Sequence, residues 1–316
     1  MTAGRSARND IDGVLLLNKP RGLTSQQAVA RVKRLFAARK AGHTGTLDPL
    51  ADGLLPIGLG EATKFSQFVL DAEKRYLATL RLGTSTTTGD AEGEILQERP
   101  VAVSATDVEA VLHRFTGPQV QTPPMYSAVK VGGKPLYAYA RAGLAVERQS
   151  RTIRIDDIQL IDLIDKTLTM RVRCSKGTYI RVLAEDIGTA LGCGAHLTAL
   201  TREAAGPFEL AGAVSIDELE AMGLPQRMAW LLPPDTFATS LPRLDIDAGA
   251  QQRIVTGQVV NLPDAMPGLY RLYGVADAFV GVGEVVEGVL LARRLLTQLS
   301  GAVQSQNPLS KLEVTG

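Results

Sequence analysis

The stretch AGHTGTLDPLADGLL, residues 41–55, sets one carboxylate, Asp48, directly before a proline. Proline disfavours the helical conformation of the residue ahead of it, so Asp48 is held extended or in a turn with its carboxylate projecting. Such a group can act as a nucleophile, a base or a stabiliser of developing charge. The same dipeptide is also an ordinary turn pair. A second residue bears on the choice. Arg181, in CSKGTYIRVLAEDIG, falls beside the start of a helical pattern, where the helix dipole disfavours a cation. A carboxylate arriving from elsewhere explains it, and a two-point arginine–carboxylate pair would keep the acid ionised and oriented. The alternative is a plain surface cation. Tyr76 and Tyr179 either pack with their hydroxyls at a rim or stack on a base and move a proton. His43 reads as a loop residue bonded to backbone.

Several chemistries find no support. Gly133-Lys134 is followed by proline, which breaks a phosphate-loop pattern, and neither Gly-x-Ser-x-Gly nor His-Glu-x-x-His occurs. The three histidines, His43, His113 and His196, are too scattered for a metal site. Cys174 and Cys193, two in 316 residues, make no disulfide framework. No run of about 18 apolar residues predicts a membrane span. The polar N-terminus lacks an apolar signal core, so the expectation is a cytoplasmic protein. The net charge is only +1, but its distribution is uneven. Residues 31–40, RVKRLFAARK, carry five cations and no acid. Between 125 and 154 lie Lys130, Lys134, Arg141, Arg148, Arg151 and Arg154, opposed by Glu147. Either these are solvated faces or they form a phosphate-binding surface.

The elements that must position these residues follow from periodicity. GVLLLNKP is a short buried strand closed by Pro20. Thr24 with Gln27 forms a capping box, and Val29, Val32, Leu35 and Phe36 follow at helical spacing. GLLPIGLGEATKFSQFVLDAEK reads as a strand followed by a second helix. RYLATLRLG alternates, with Tyr76, Ala78, Leu80 and Leu82 on one face. TSTTTGDAEGEIL is a turn-rich hairpin, and SATDVEAVLHRF is a capped helix. Residues 121–151 stand apart, with paired prolines, a Gly-Gly hairpin turn between Val131 and Lys134, and Tyr126, Tyr137 and Tyr139 among cations. TLTMRVRCSKGTYIRVLAEDIGTALG reads as strand, tight turn and helix, with Gly192 ending it. A proline-rich joint then precedes the strand-like pieces GLYRLYGV, AFVGVGEVV and GVLLARRLL.

Six ordered blocks resemble the TruB family of bacterial tRNA pseudouridine-55 synthases over nearly the whole length: LLLNKPRGLTS, AGHTGTLDPLADGLLPIGLGEATKF, KRYLATLRLGTSTTTGD, QTPPMYSAVKVGGKPLYAYARAG, CSKGTYIRVLAEDIG and LTALTREAAGPF. The resemblance implies that Asp48 is the nucleophile that detaches uracil and allows it to rejoin its ribose through C5. It implies that Tyr76 stacks on the flipped base and carries a proton, and that Arg181 pairs with Asp48. Tyr179 and Leu200 match substrate-pocket positions, and His43 matches the residue that fills the gap the uridine leaves. Lys19 and Pro20 match the block supporting the catalytic loop. Lys130 and Arg141 belong to an RNA-gripping insertion over residues 121–151.

The implied fold is α+β. A mixed, mainly antiparallel sheet with flanking helices spans residues 1–232, and a small PUA-type β barrel for RNA binding spans 241–299. Residues 300–316 are expected to be a flexible tail. The implied reaction needs no cofactor or metal. The implied partner is the T-arm stem-loop of tRNA, with no membrane or protein partner and a monomeric enzyme. Two other readings stay open: a tRNA-binding folding factor with secondary chemistry, and a guide-dependent pseudouridine synthase.

Overall fold

The computed structural model describes residues 10–297, so the expected tail lies outside them. Two compact units divide at residues 233 and 234. The larger is built on a ten-stranded sheet. Its principal path runs Val214–Ser215, Gly13–Lys19, Asp52–Leu59, Ala195–Ala205, Lys74–Leu82, Thr167–Cys174, Arg151–Ile164 and Gly117–Gln121. Two of these pairings are parallel, Gly13–Lys19 with Val214–Ser215 and Ala195–Ala205 with Asp52–Leu59; the rest along this path are antiparallel. The α+β class and the mixed, mainly antiparallel sheet are therefore as expected.

Sequence pattern accounts for most of these elements. Thr24 Oγ accepts the Gln27 amide at 3.1 Å while Gln27 Oε1 accepts the Thr24 amide at 2.8 Å. That capping box starts the helix Ser25–Leu35, which buries Ala28, Val29 and Val32. In the strand Lys74–Leu82 the even-numbered residues, Tyr76 among them, point into the core. The helix Ile180–Ala190 buries Ile180, Leu183, Ala184 and Ile187. Beyond it, Gly192 adopts φ +78°, the left-handed turn that glycine supplies without steric cost. The expected second helix is instead a 3₁₀ turn, Gly60–Phe65, and a short α turn, Gln67–Leu70.

The longest strand, Arg151–Ile164, has no counterpart in the sequence reading. Its alternation is interrupted by register shifts at Ile155/Asp157 and Leu160/Asp162, and much of it is exposed. A two-residue period is hidden by such bulges.

In the smaller unit, Arg243–Asp245, Gly268–Tyr273, Phe279–Val286, Val289–Leu295 and Val260–Asn261 form a half-barrel sheet in that order. Ile246, Ile254, Leu272, Val280, Val285 and Leu290 fill its core. The helix Ala248–Val255, absent from the sequence reading, is capped by Asp247, whose Oδ1 accepts the Ala250 amide at 2.7 Å.

Candidate active site

Asp48 lies in the loop between the short strand Ala41–His43 and the strand Asp52–Leu59. The loop is fixed by its neighbours. Leu47, Leu50 and Ala51 are buried. The buried Ser25 hydroxyl both donates to the Leu47 carbonyl (3.0 Å) and accepts the Leu47 amide (2.8 Å). The Pro49 carbonyl accepts the Gly22 amide at 2.7 Å, and the Asp48 carbonyl accepts that of Ala51 at 3.1 Å. The backbone is thus committed on both sides of Asp48, whose side chain stays partly exposed.

Arg181 meets it. Nη2 lies 2.9 Å from Asp48 Oδ2, with the Asp48 side chain 38% exposed and that of Arg181 only 5%. The two-point clasp expected from sequence is not formed. The guanidinium bridges two carboxylates instead, with Nη1 3.5 Å from Asp90 Oδ2. Nη1 also donates to the Thr88 carbonyl at 3.2 Å and Nη2 to the Tyr126 carbonyl at 2.8 Å. Asp90 is buried, and its Oδ1 accepts the Thr88 hydroxyl and the Glu92 amide. Burial pushes the Asp48 carboxyl above its ordinary pKa; Arg181 opposes the rise and Asp90 adds to it.

Tyr76 is buried, and burial pushes its phenol upward while the nearby Arg202 pulls it down. Asp48 is close enough to add to that rise. Leu200 is buried on the neighbouring strand, opposite Ala78. Lys19 is fully buried under the loop rather than on a surface, donating to the carbonyls of Pro20 (2.9 Å) and Leu23 (2.7 Å). Burial pushes it down to about 8 against the pull of Asp52 and Asp48. His43 is lowered by burial and by Arg202.

Tyr179 immediately precedes the helix carrying Arg181. Its backbone is clasped by Gln121, whose Nε2 donates to the Tyr179 carbonyl (3.1 Å) and whose Oε1 accepts its amide (2.7 Å). The Arg151 guanidinium lies 4.8 Å from the Tyr179 ring centroid. Lys130 and Arg141 sit farther out, exposed, on a hairpin and a short helix of the insertion. Val131 pairs with Lys134 across Gly132 and Gly133, both at positive φ. Arg148, Arg151 and Arg154 are engaged locally, with the Pro123 carbonyl, the Gly177 carbonyl and Asp156.

Two residues of this constellation escaped the sequence reading. Asp90 had a faint signal, an acid after three threonines and a glycine. Arg202 had none, since its partners are distant in the chain.

Comparison with known proteins bears on the family. Three family descriptions match in succession: TruB family pseudouridylate synthase (N terminal domain) over residues 33–180, tRNA pseudouridylate synthase B C-terminal domain over 181–231, and pseudouridine synthase II TruB, C-terminal, over 242–296. The tRNA pseudouridine synthase B of Burkholderia mallei is 53% identical over 299 residues, covering 92% of this chain and 96% of that protein. That of Cupriavidus metallidurans is 51% identical with the same two coverages. Among solved structures, a Cbf5-Nop10-Gar1 complex matches with TM-score 0.67 and 28% identity, over 87% of this chain and 78% of that one. An H/ACA RNP bound to a substrate RNA containing 2'-deoxyuridine matches at 0.68 and 25%, over 90% and 85%.

Proposed function

Because this chain belongs to the TruB family of pseudouridylate synthases, we propose that it isomerises the uridine at position 55 of the tRNA T loop to pseudouridine, with Asp48 as nucleophile. The observation that carries the proposal is the asymmetry of the Asp48–Arg181 pair. The arginine is buried and immobilised by four oxygens, while the side chain of the acid it holds stays 38% exposed. A structural ion pair would have no need of an open acid.

The reaction breaks the N1–C1′ bond, turns the uracil and forms a C5–C1′ bond. One proton leaves C5 and one is gained at N1, so the step is a net isomerisation. Asp48 attacks either C1′ or C6, or follows loss of a 2′ proton. Since the target base is stacked in the RNA, it must first be flipped out, at a few kcal/mol. Tyr76 then stacks on the base and carries a proton. Tyr179 and Leu200 line the pocket, and His43 occupies the space the uridine leaves. Neutral histidine suits that last role, because burial and Arg202 disfavour its cation. Lys19 supports the loop from below.

Lys130, Lys134 and Arg141 are the insertion's candidates for phosphate contact, being exposed and free of acidic partners among the described ion pairs. An insertion with its own cations and aromatics favours direct gripping of the T arm over delivery by a guide RNA. The smaller unit is assigned as a PUA-type RNA foothold. The test is a T-arm stem-loop carrying tritium at C5 of its target uridine. Release of tritium without any added RNA or nucleotide supports the assignment; release only when a guide is supplied contradicts it.

A further inference from the structure

The helix Ile180–Ala190 carries Arg181 in its first turn, yet it has no cap of its own. Tyr179 is its N-cap residue and makes no side-chain capping bond. The first amides of a helix have no partner inside it and must find one elsewhere. For Tyr179 the partner comes from a strand 58 residues away. Gln121 Oε1 accepts the Tyr179 amide at 2.7 Å, and Gln121 Nε2 donates to the Tyr179 carbonyl at 3.1 Å. In a capping box the first of these bonds is made by a residue of the helix itself. The Gln121 amide cannot be reversed, since that would set donor against donor and acceptor against acceptor.

Two bonds to one residue fix more than one bond would. They flank the Tyr179 Cα, so they set both where that residue sits and which way its side chain leaves the backbone. Gln121 is 4% exposed and offers almost nothing to solvent. An apolar residue of the same length would fill its space but leave the Tyr179 amide unpaired. The register partner of Gln121 on the neighbouring strand is Arg151. The Arg151 guanidinium lies 4.8 Å from the Tyr179 ring centroid and donates to the Gly177 carbonyl. Gly177 has φ +80°, and a Cβ there would lie 3.1 Å from Arg151 Cζ, so the close approach suits glycine. Gln121 and Arg151 are the first and last residues of the 121–151 insertion. One paired rung at its root therefore holds the peptide, the ring and the turn ahead of the helix.

We infer that Gln121 is a positioning residue for the reaction. It fixes the start of the helix, so that the Tyr179 ring and, two residues on, the Arg181 guanidinium stand where the pocket and Asp48 need them. This inference rests on the proposed uridine isomerisation. Gln121 acts through the Tyr179 backbone and not on the substrate. Arg181 Nη2 lies 2.9 Å from Asp48 Oδ2, a contact that a small swing of the first helical turn would break.

The test is Gln121→Met, which keeps the length of the side chain and removes both polar atoms. The first reading is hydrogen exchange at the Tyr179 amide in the protein without RNA. Exchange should be at least about tenfold faster in the variant, and unchanged exchange would overturn the inference. The second is single-turnover isomerisation of a saturating T-arm stem-loop, with affinity for the same RNA measured separately. The rate constant per RNA-binding molecule should fall by at least about tenfold, while Kd stays within about threefold. A merely structural role would lower the melting temperature or the binding-competent fraction and leave the rate per folded molecule unchanged. That result, or a loss confined to affinity, would overturn the inference. Should Gln121→Met fail to fold, Gln121→Asn runs the same measurements, since its amide is one methylene too short to span both groups. A parent protein that leaves the stem-loop unconverted would refute the functional reading instead, while exchange at Tyr179 would still report on the clasp.

Discussion

Replacing Arg181 by lysine separates holding Asp48, the proposed nucleophile, from merely neutralising it. The guanidinium reaches four oxygens through its two terminal nitrogens: Asp48 at 2.9 Å, Asp90 at 3.5 Å, and the Thr88 and Tyr126 carbonyls at 3.2 and 2.8 Å. An ammonium is a single point and cannot span them. At least two contacts are lost, each worth about 1 kcal/mol for a neutral acceptor and about twice that for a carboxylate. The loss of about 2–4 kcal/mol corresponds to about 30- to 1000-fold in kcat, if it falls on the aligned state of Asp48. RNA affinity should stay within about threefold, because the arginine side chain is only 5% exposed and has no face to offer the RNA. Single-turnover pseudouridine formation on a T-arm stem-loop, with binding measured separately, gives both numbers. A lysine variant that folds and works within about twofold of the parent would refute the reasoning. A loss confined to binding would mean that Arg181 grips the RNA rather than Asp48.

The acid limb of the rate profile should lie above 3.8, the ordinary carboxylate value, because burial raises Asp48 and the reaction needs its ionised form; Arg181→Gln should move that limb to still higher pH, and a limb unmoved by the change would disprove the coupling. Asp48→Asn should abolish turnover and leave tRNA affinity within about tenfold. A raised carboxyl pKa weakens the fold as pH climbs from the unfolded value through the folded one, so the same variant should be at least as stable as the parent at pH 7, with the difference vanishing in acid; thermal melts at both pH values test this. T-arm binding should weaken steeply with salt, and neutralising Lys130 or Arg141 should each reduce the slope by about one unit if it contacts a phosphate; a flat response would make both merely solubilising. Truncation near residue 241 should leave activity on a minimal stem-loop while weakening whole-tRNA binding, and loss of kcat on both RNAs by a folded truncation would contradict the foothold role of the smaller unit.

Local chemistry was legible wherever a signal and its cause lie within a few residues. The Thr24–Gln27 box starts its helix, the Gly132–Gly133 turn closes its hairpin, and the inward face of Tyr76, Ala78, Leu80 and Leu82 follows from alternation alone. Asp48 and Arg181 were legible as a pair because proline fixes one and a helix start disfavours the other. The form of their contact was not. Arg181 finds Thr88 across 93 residues and Arg202 finds Gly45 across 157, and no local pattern encodes a partner at such separations. The bulged strand Arg151–Ile164 was hidden for a different reason. Each register shift reverses which residues face the core, so its period cancels over the length of the strand.

The central claim is that Asp48 of this chain converts one T-loop uridine. Its most direct test incubates an unmodified tRNA transcript with the parent protein and with Asp48→Asn, each checked by mass against deamidation, and maps pseudouridine along the RNA. Conversion at position 55 is expected with the parent alone. Turnover by the asparagine protein, or conversion by the parent at other positions with none at 55, would contradict it.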